Sequence, residues 1–175
     1  MCGGVIFPYK KEYKELLEKY YPKEQVEEFE RTGEVRSLYW QKTEPILPVK
    51  MEGTESEPAR EELMLWGNRD KEAPFPQTGW ARTDSLAAGK WNYMKPEPAS
   101  IPVTHGVEKG KWFEIENGIK GVVLHRGDED RVYMLTDEAT PEYVDVTHHE
   151  RMPVLEDQTD INWLPNDPSG TDYAP

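Results

Sequence analysis

Residues 111–136 read KWFEIENGIKGVVLHRGDEDRVYMLT, and this stretch decides the fold class. Within it WFEI (112–115), GIKGVVLH (118–125) and RVYMLT (131–136) are short runs of branched and aromatic residues, the composition that suits a pleated, half-buried surface. The RGDED segment at 126–130 supplies a turn, so the last two runs are predicted to form a hairpin. Strands in close succession, joined by short polar turns, point to a sheet built from neighbouring segments.

Working outward, Thr140 followed by Pro141 is a helix start, with the threonine as cap and the proline in the first turn. The helix should lead to His148 and His149 and end before Met152-Pro153, where the chain turns extended. Residues 165–175 (PNDPSGTDYAP) have no periodicity and predict a loose acidic tail after a single domain spanning 1–164. Upstream, VRSLYW (35–40), PILPVKM (45–51) and ELMLWG (62–67) read as further strands. Tyr13, Leu16, Leu17 and Tyr20 fall on one face of a helix over 11–21, which Pro22 breaks. A second short helix over 23–31 carries Val26 and Phe29 and stops at Gly33. These apolar positions are core contacts. The stretch 68–86, NRDKEAPFPQTGWARTDSL, is too long for a plain connector and predicts an ordered functional loop.

The chain has 175 residues, 36% hydrophobic, with 6 Trp, 9 Tyr and 4 Phe, enough for one folded domain. Its single cysteine excludes an internal disulfide, and no apolar run after Met1 suits a signal peptide or membrane helix, so a cytoplasmic protein is expected. No strongly apolar surface helix stands out, and a monomer is the default. The net charge of −13 argues against nucleic acid until its distribution is considered. Residues 128–175 hold 13 acidic and 2 basic residues, whereas the first 127 hold 21 acidic and 19 basic. The body is nearly neutral.

Four elements carry chemistry. Loss of Met1 would leave Cys2 with a thiol and an α-amine on adjacent carbons, both with useful reactive fractions near neutral pH. Such a pair condenses with an aldehyde to an imine and closes it to a thiazolidine; Gly3 and Gly4 let a ligand approach. Read singly, a lone cysteine is a small buried residue. Glu108 lies in a short polar interruption between β-like segments, where a carboxyl can move protons, although an isolated glutamate beside Lys109 is ordinarily a surface residue. His149 titrates near neutrality, and Arg151 can fix a phosphate. The adjacent histidines lack a third ligand at metal spacing, so no metal and no cofactor are expected. Finally, Trp66, Arg69, Trp80 and Arg82 interleave aromatics with cations, which suits single-stranded nucleic acid, although tryptophans alone are more often core.

Taken together, MCGG at 1–4, WGNRDK at 66–71, GWARTDSLAAGKW at 79–91, IPVTHGVEKG at 101–110, LTDEA at 135–139 and HERMPVL at 149–155 resemble the SOS response-associated peptidase (SRAP) family over nearly the whole domain. The resemblance implies an α/β (α+β) domain with a strongly curved, barrel-like, mostly antiparallel sheet and flanking short helices. It also implies a protein of the DNA-damage response that binds abasic sites in single-stranded DNA and shields them covalently. By that resemblance Cys2 is the nucleophile exposed after Met1 loss, by self-processing or otherwise, an activity of peptidase or lyase type. Glu108 matches the glutamate of the family's IPA-x-GFYEW pattern and His149 the histidine of H-x-RMP. Arg82 and Arg151 match phosphate-holding arginines, and Thr136 falls in the TT-x-A segment. The chain departs from the pattern at Gly4, where arginine is common, at Trp80, where asparagine is common, and at HGVEK in place of GFYEW. The asparagine's role would fall to Asn68 or Asn92, or be dispensed with. Two rivals are an N-terminal-cysteine amidotransferase, for which no glutamine-pocket motif is found, and a noncatalytic protein whose acidic 128–175 segment binds a basic partner.

Overall fold

The hairpin expected over 118–136 is the seam on which a barrel closes. In the computed structural model, which describes residues 2–168, the strands are β1 (Gly4–Pro8), β2 (Glu34–Leu38), β3 (Ile46–Met51), β4 (Arg60–Trp66), β5 (Trp80–Arg82), β6 (Glu97–Ile101), β7 (His105–Glu108), β8 (Lys111–Glu114), β9 (Ile119–Arg126), β10 (Glu129–Glu138), β11 (Arg151–Pro153) and β12 (Asn162–Trp163). The helices are α1 (Lys14–Tyr20), α2 (Lys23–Thr32), α3 (Thr83–Ala87) and α4 (Pro141–Thr147).

β9 and β10 pair antiparallel from Arg126↔Glu129 to Met134↔Gly121. Gly127 opens the two-residue turn at φ +59, a conformation side chains resist. β9 continues to β6, β6 to β3 and β3 to β4, all antiparallel, and β4 returns to β10 in parallel through Arg131↔Leu65 and Val132↔Trp66. The result is a closed five-stranded mixed barrel. The barrel-like α+β architecture expected from the sequence is therefore present. Closure removes the unpaired edges that would otherwise invite aggregation.

A second, wholly antiparallel sheet flanks the barrel in the order β12-β8-β7-β1-β2. Fully buried Phe7, Leu17, Tyr39, Ile46, Leu47, Trp66, Ile101 and Phe113 belong to the main core. Each such large apolar side chain contributes about 1.5–3 kcal/mol through burial. Tyr13 and Leu17 on the first helical segment, and Val26 and Phe29 on α2, join this core as their spacing predicted. Lys11–Tyr13 is a 3-10 turn ahead of α1, and Gly33 ends α2 at φ +76.

Three expectations change. The stretch 68–86 holds a strand, β5, and the start of α3. Glu108 is not in a polar interruption: it ends β7 and is 4% exposed, because β7 is sandwiched between β1 and β8. The chain from Pro165 is anchored at least to Asp167, whose carboxylate accepts from Arg36 at 2.8 and 2.6 Å, both side chains being largely buried. The expectation for 169–175 lies outside the described residues.

Candidate active site

The first strand brings the N-terminal segment to the site. β1 pairs with β7 as Gly4↔Val107, and Gly3 N–H donates to the Val107 carbonyl at 2.9 Å. Extending that register sets Gly3 opposite Glu108, with Cys2 beyond it. On its other side the Gly3 carbonyl accepts from Tyr39 N–H at 2.9 Å. Gly4 is closely packed here: a Cβ would lie 2.2 Å from Leu38 Cδ2 and 2.9 Å from Val107 Cγ1. The arginine common in the resembled pattern would require the Leu38 and Val107 side chains to shift.

The Cys2 thiol is fully buried and donates to the Gly4 carbonyl at 3.1 Å. It occupies space left open by Gly106, where a Cβ would stand 2.9 Å from Sγ and 2.6 Å from the Phe113 ring. The glycine in HGVEK therefore makes room for the thiol. Burial pushes that thiol up to about 12, and the nearby Glu108 carboxylate adds to the shift. While Met1 is attached the thiol therefore keeps its proton at neutral pH.

Glu108 Oε1 meets His149 Nε2 at 2.9 Å. Burial raises the carboxyl above its ordinary value, opposed by nearby positive charge including Lys109. Burial lowers the imidazole. The two proton affinities move towards each other, which suits a pair that passes protons. His149 is set by the end of α4: His148 takes φ +59, and Thr147 Oγ1 accepts from His149 N–H at 3.1 Å while donating to the Tyr143 carbonyl at 2.7 Å. The cap at the other end is as predicted, Thr140 Oγ1 accepting from Tyr143 N–H.

β10 assembles the cationic side. Thr136 pairs with Arg82 of β5 and with Pro153 of β11, and Arg151 lies two positions further along that ladder opposite Glu138. Arg151 donates through Nη2 to the Thr136 carbonyl at 2.8 Å and to its hydroxyl at 3.3 Å, while its buried Nε has no hydrogen-bond partner. Thr136 is buried and supports Arg151 from beneath, with no surface of its own to offer. Arg82 is exposed and engages Asp84 through two hydrogen bonds, at 3.0 and 2.8 Å. That guanidinium holds the Asp84 carboxyl well below the usual range.

The aromatic residues sort differently from expectation. Trp66 is 1% exposed and donates to the Gly79 carbonyl at 3.0 Å, so it is core and presents no face to a base. Arg69 donates to the carbonyls of Tyr39, Gln41 and Thr43, tying down that turn. Trp80 is half-buried against Tyr39 and Trp66, and its indole N–H donates to the Cys2 carbonyl at 3.0 Å. Asn68 cannot stand in for the pattern's asparagine: it is buried, with its amide bonded to the carbonyls of Asp70 and Phe75 and its oxygen accepting from Arg131. Asn92 is exposed on a separate 3-10 turn.

Tyr143 is a site neighbour the sequence did not reveal. Its hydroxyl is buried without a hydrogen-bond partner, and burial together with the charges of Cys2 and Glu108 raises it. Nothing in a helical tyrosine six residues before a histidine signals this. Among the described residues no group of three or more His, Cys, Asp or Glu side chains could hold a metal ion, and no helix is long and apolar enough to cross a membrane. No protein-family model matches the chain, and no curated protein matches it.

Proposed function

We propose that the chain captures an aldehyde through Cys2 once Met1 is lost, and that the aldehyde is the ring-opened sugar of an abasic site in single-stranded DNA. The observation that carries this reading is the contact of buried Glu108 with partly exposed His149, 2.9 Å apart, beside Cys2. The freed amine adds to the aldehyde carbon to give a carbinolamine. Protonation of its hydroxyl by the pair releases water, and return of the nitrogen's proton to the pair leaves an imine. The thiol sulfur then adds to the imine carbon, its proton passing by way of the pair to the nitrogen, and the thiazolidine is complete. The raised thiol makes this proton acceptor necessary, and the side chain must turn away from the Gly4 carbonyl. Arg82 and Arg151 hold the flanking phosphates, Arg82 after leaving Asp84.

A denaturing-gel shift with a single-stranded oligonucleotide carrying one abasic site tests the reading. A retarded band that needs both the lesion and Cys2, and is lost in Cys2→Ala, is expected. Equal bands from wild type and Cys2→Ala would refute it. The resemblance to SRAP proteins supports the same assignment, including a place in the response to DNA damage.

A further inference from the structure

The backbone of Cys2 and Gly3 is held at three points. Gly3 N–H donates to Val107 O, Gly3 O accepts from Tyr39 N–H, and Cys2 O accepts from Trp80 Nε1. The first two are backbone bonds that any residues in those strands would make. Only the third depends on a side chain.

That side chain is immobile. Its ring packs 4.7 Å from the Tyr39 ring and 5.9 Å from Trp66, which is itself tied to the Gly79 carbonyl. Its backbone N–H donates to Thr78 Oγ1, and β5 is paired to β10. The donor therefore reaches the Cys2 carbonyl already oriented. A residue at a chain terminus has no preceding peptide to fix it, so the plane of its carbonyl sets the position of the Cα from which its amine and its Cβ project.

We propose that Trp80 is a positioning residue for closure of the thiazolidine ring, acting through the Cys2 carbonyl. The inference rests on the aldehyde-capture reading and names what orients that site. Imine formation needs only the amine and a carbonyl carbon. Ring closure needs the imine carbon, the sulfur and a proton acceptor in register at once, so losing the carbonyl anchor costs closure more than capture.

The test compares wild type, Trp80→Phe and Trp91→Phe on an abasic single-stranded oligonucleotide, scoring the stable adduct and the imine trapped by borohydride; Trp91 packs on Tyr133 in a separate cluster and serves as the control. Benzothienylalanine at position 80 keeps the bicyclic shape without the N–H, and serves where Trp80→Phe does not fold. Removing the N–H should slow the stable adduct about tenfold and raise the borohydride-trapped share, while Trp91→Phe leaves the partition unchanged. An unchanged partition at position 80, or the same change in Trp91→Phe, overturns the positioning role. Absence of any adduct from wild type overturns the aldehyde reading itself and this inference with it.

Discussion

Glu108 and His149 meet at 2.9 Å although one ends a strand of the flanking sheet and the other follows the helix after the barrel's longest strand. Their contact is where the two sheets' contributions to the site join. Burial drives the carboxyl up and the imidazole down, so a single substitution should disable proton movement with little effect on packing. Glu108→Gln should slow adduct formation about 100-fold or more, within the usual range for loss of a general acid or base, as read from a quenched time course. An unchanged course would remove Glu108 from the mechanism.

Alkaline unfolding should report the buried thiol. In the folded chain Cys2 holds its proton until about 12, against an ordinary value of 9.0, so the folded state binds more protons between those limits. Its contribution is complete below 9.0 and is lost as pH rises towards 12. The difference between wild type and Cys2→Ala in denaturant unfolding should therefore shrink by up to about 1.4 kcal/mol per pH unit across that window. A difference independent of pH would place the thiol in water.

Asp84 competes with any phosphate for Arg82. Asp84→Asn should tighten binding to single-stranded DNA, and Arg82→Gln should weaken it while lowering the magnitude of the salt-dependence slope by about 0.7. Titrations across several salt concentrations check both changes.

Two substitutions probe packing around the thiol. Gly106→Ala inserts a methyl 2.9 Å from Cys2 Sγ and 2.6 Å from Phe113, and should destabilise the fold by about 1–3 kcal/mol. Tyr143→Phe removes a buried hydroxyl that has no partner and should stabilise it by about 1 kcal/mol. Denaturant midpoints at fixed slope measure each.

The strands at 112–136 and the cap at Thr140 were legible because local composition and tertiary demand agree there. β1 and β7 were not: GVIFP and HGVE are short, carry glycine or proline, and become strands only through each other and their outer partners. Parallel closure of β4 on β10 joins residues more than sixty positions apart, beyond any local pattern. Site residues named by motif do gather around β1, β7, β10 and α4. What each does there was less legible. Trp66 and Arg69 proved to be structural, and Trp80 faces the Cys2 carbonyl, because hydrogen-bond direction is set by tertiary packing.

The most direct measurement is the intact mass of the protein after reaction with an abasic single-stranded oligonucleotide and nuclease digestion. The account predicts a chain lacking Met1 that carries the sugar remnant less one water, formed without borohydride and mapped to Cys2. A chain lacking Met1 that gains no mass under the same conditions would contradict it.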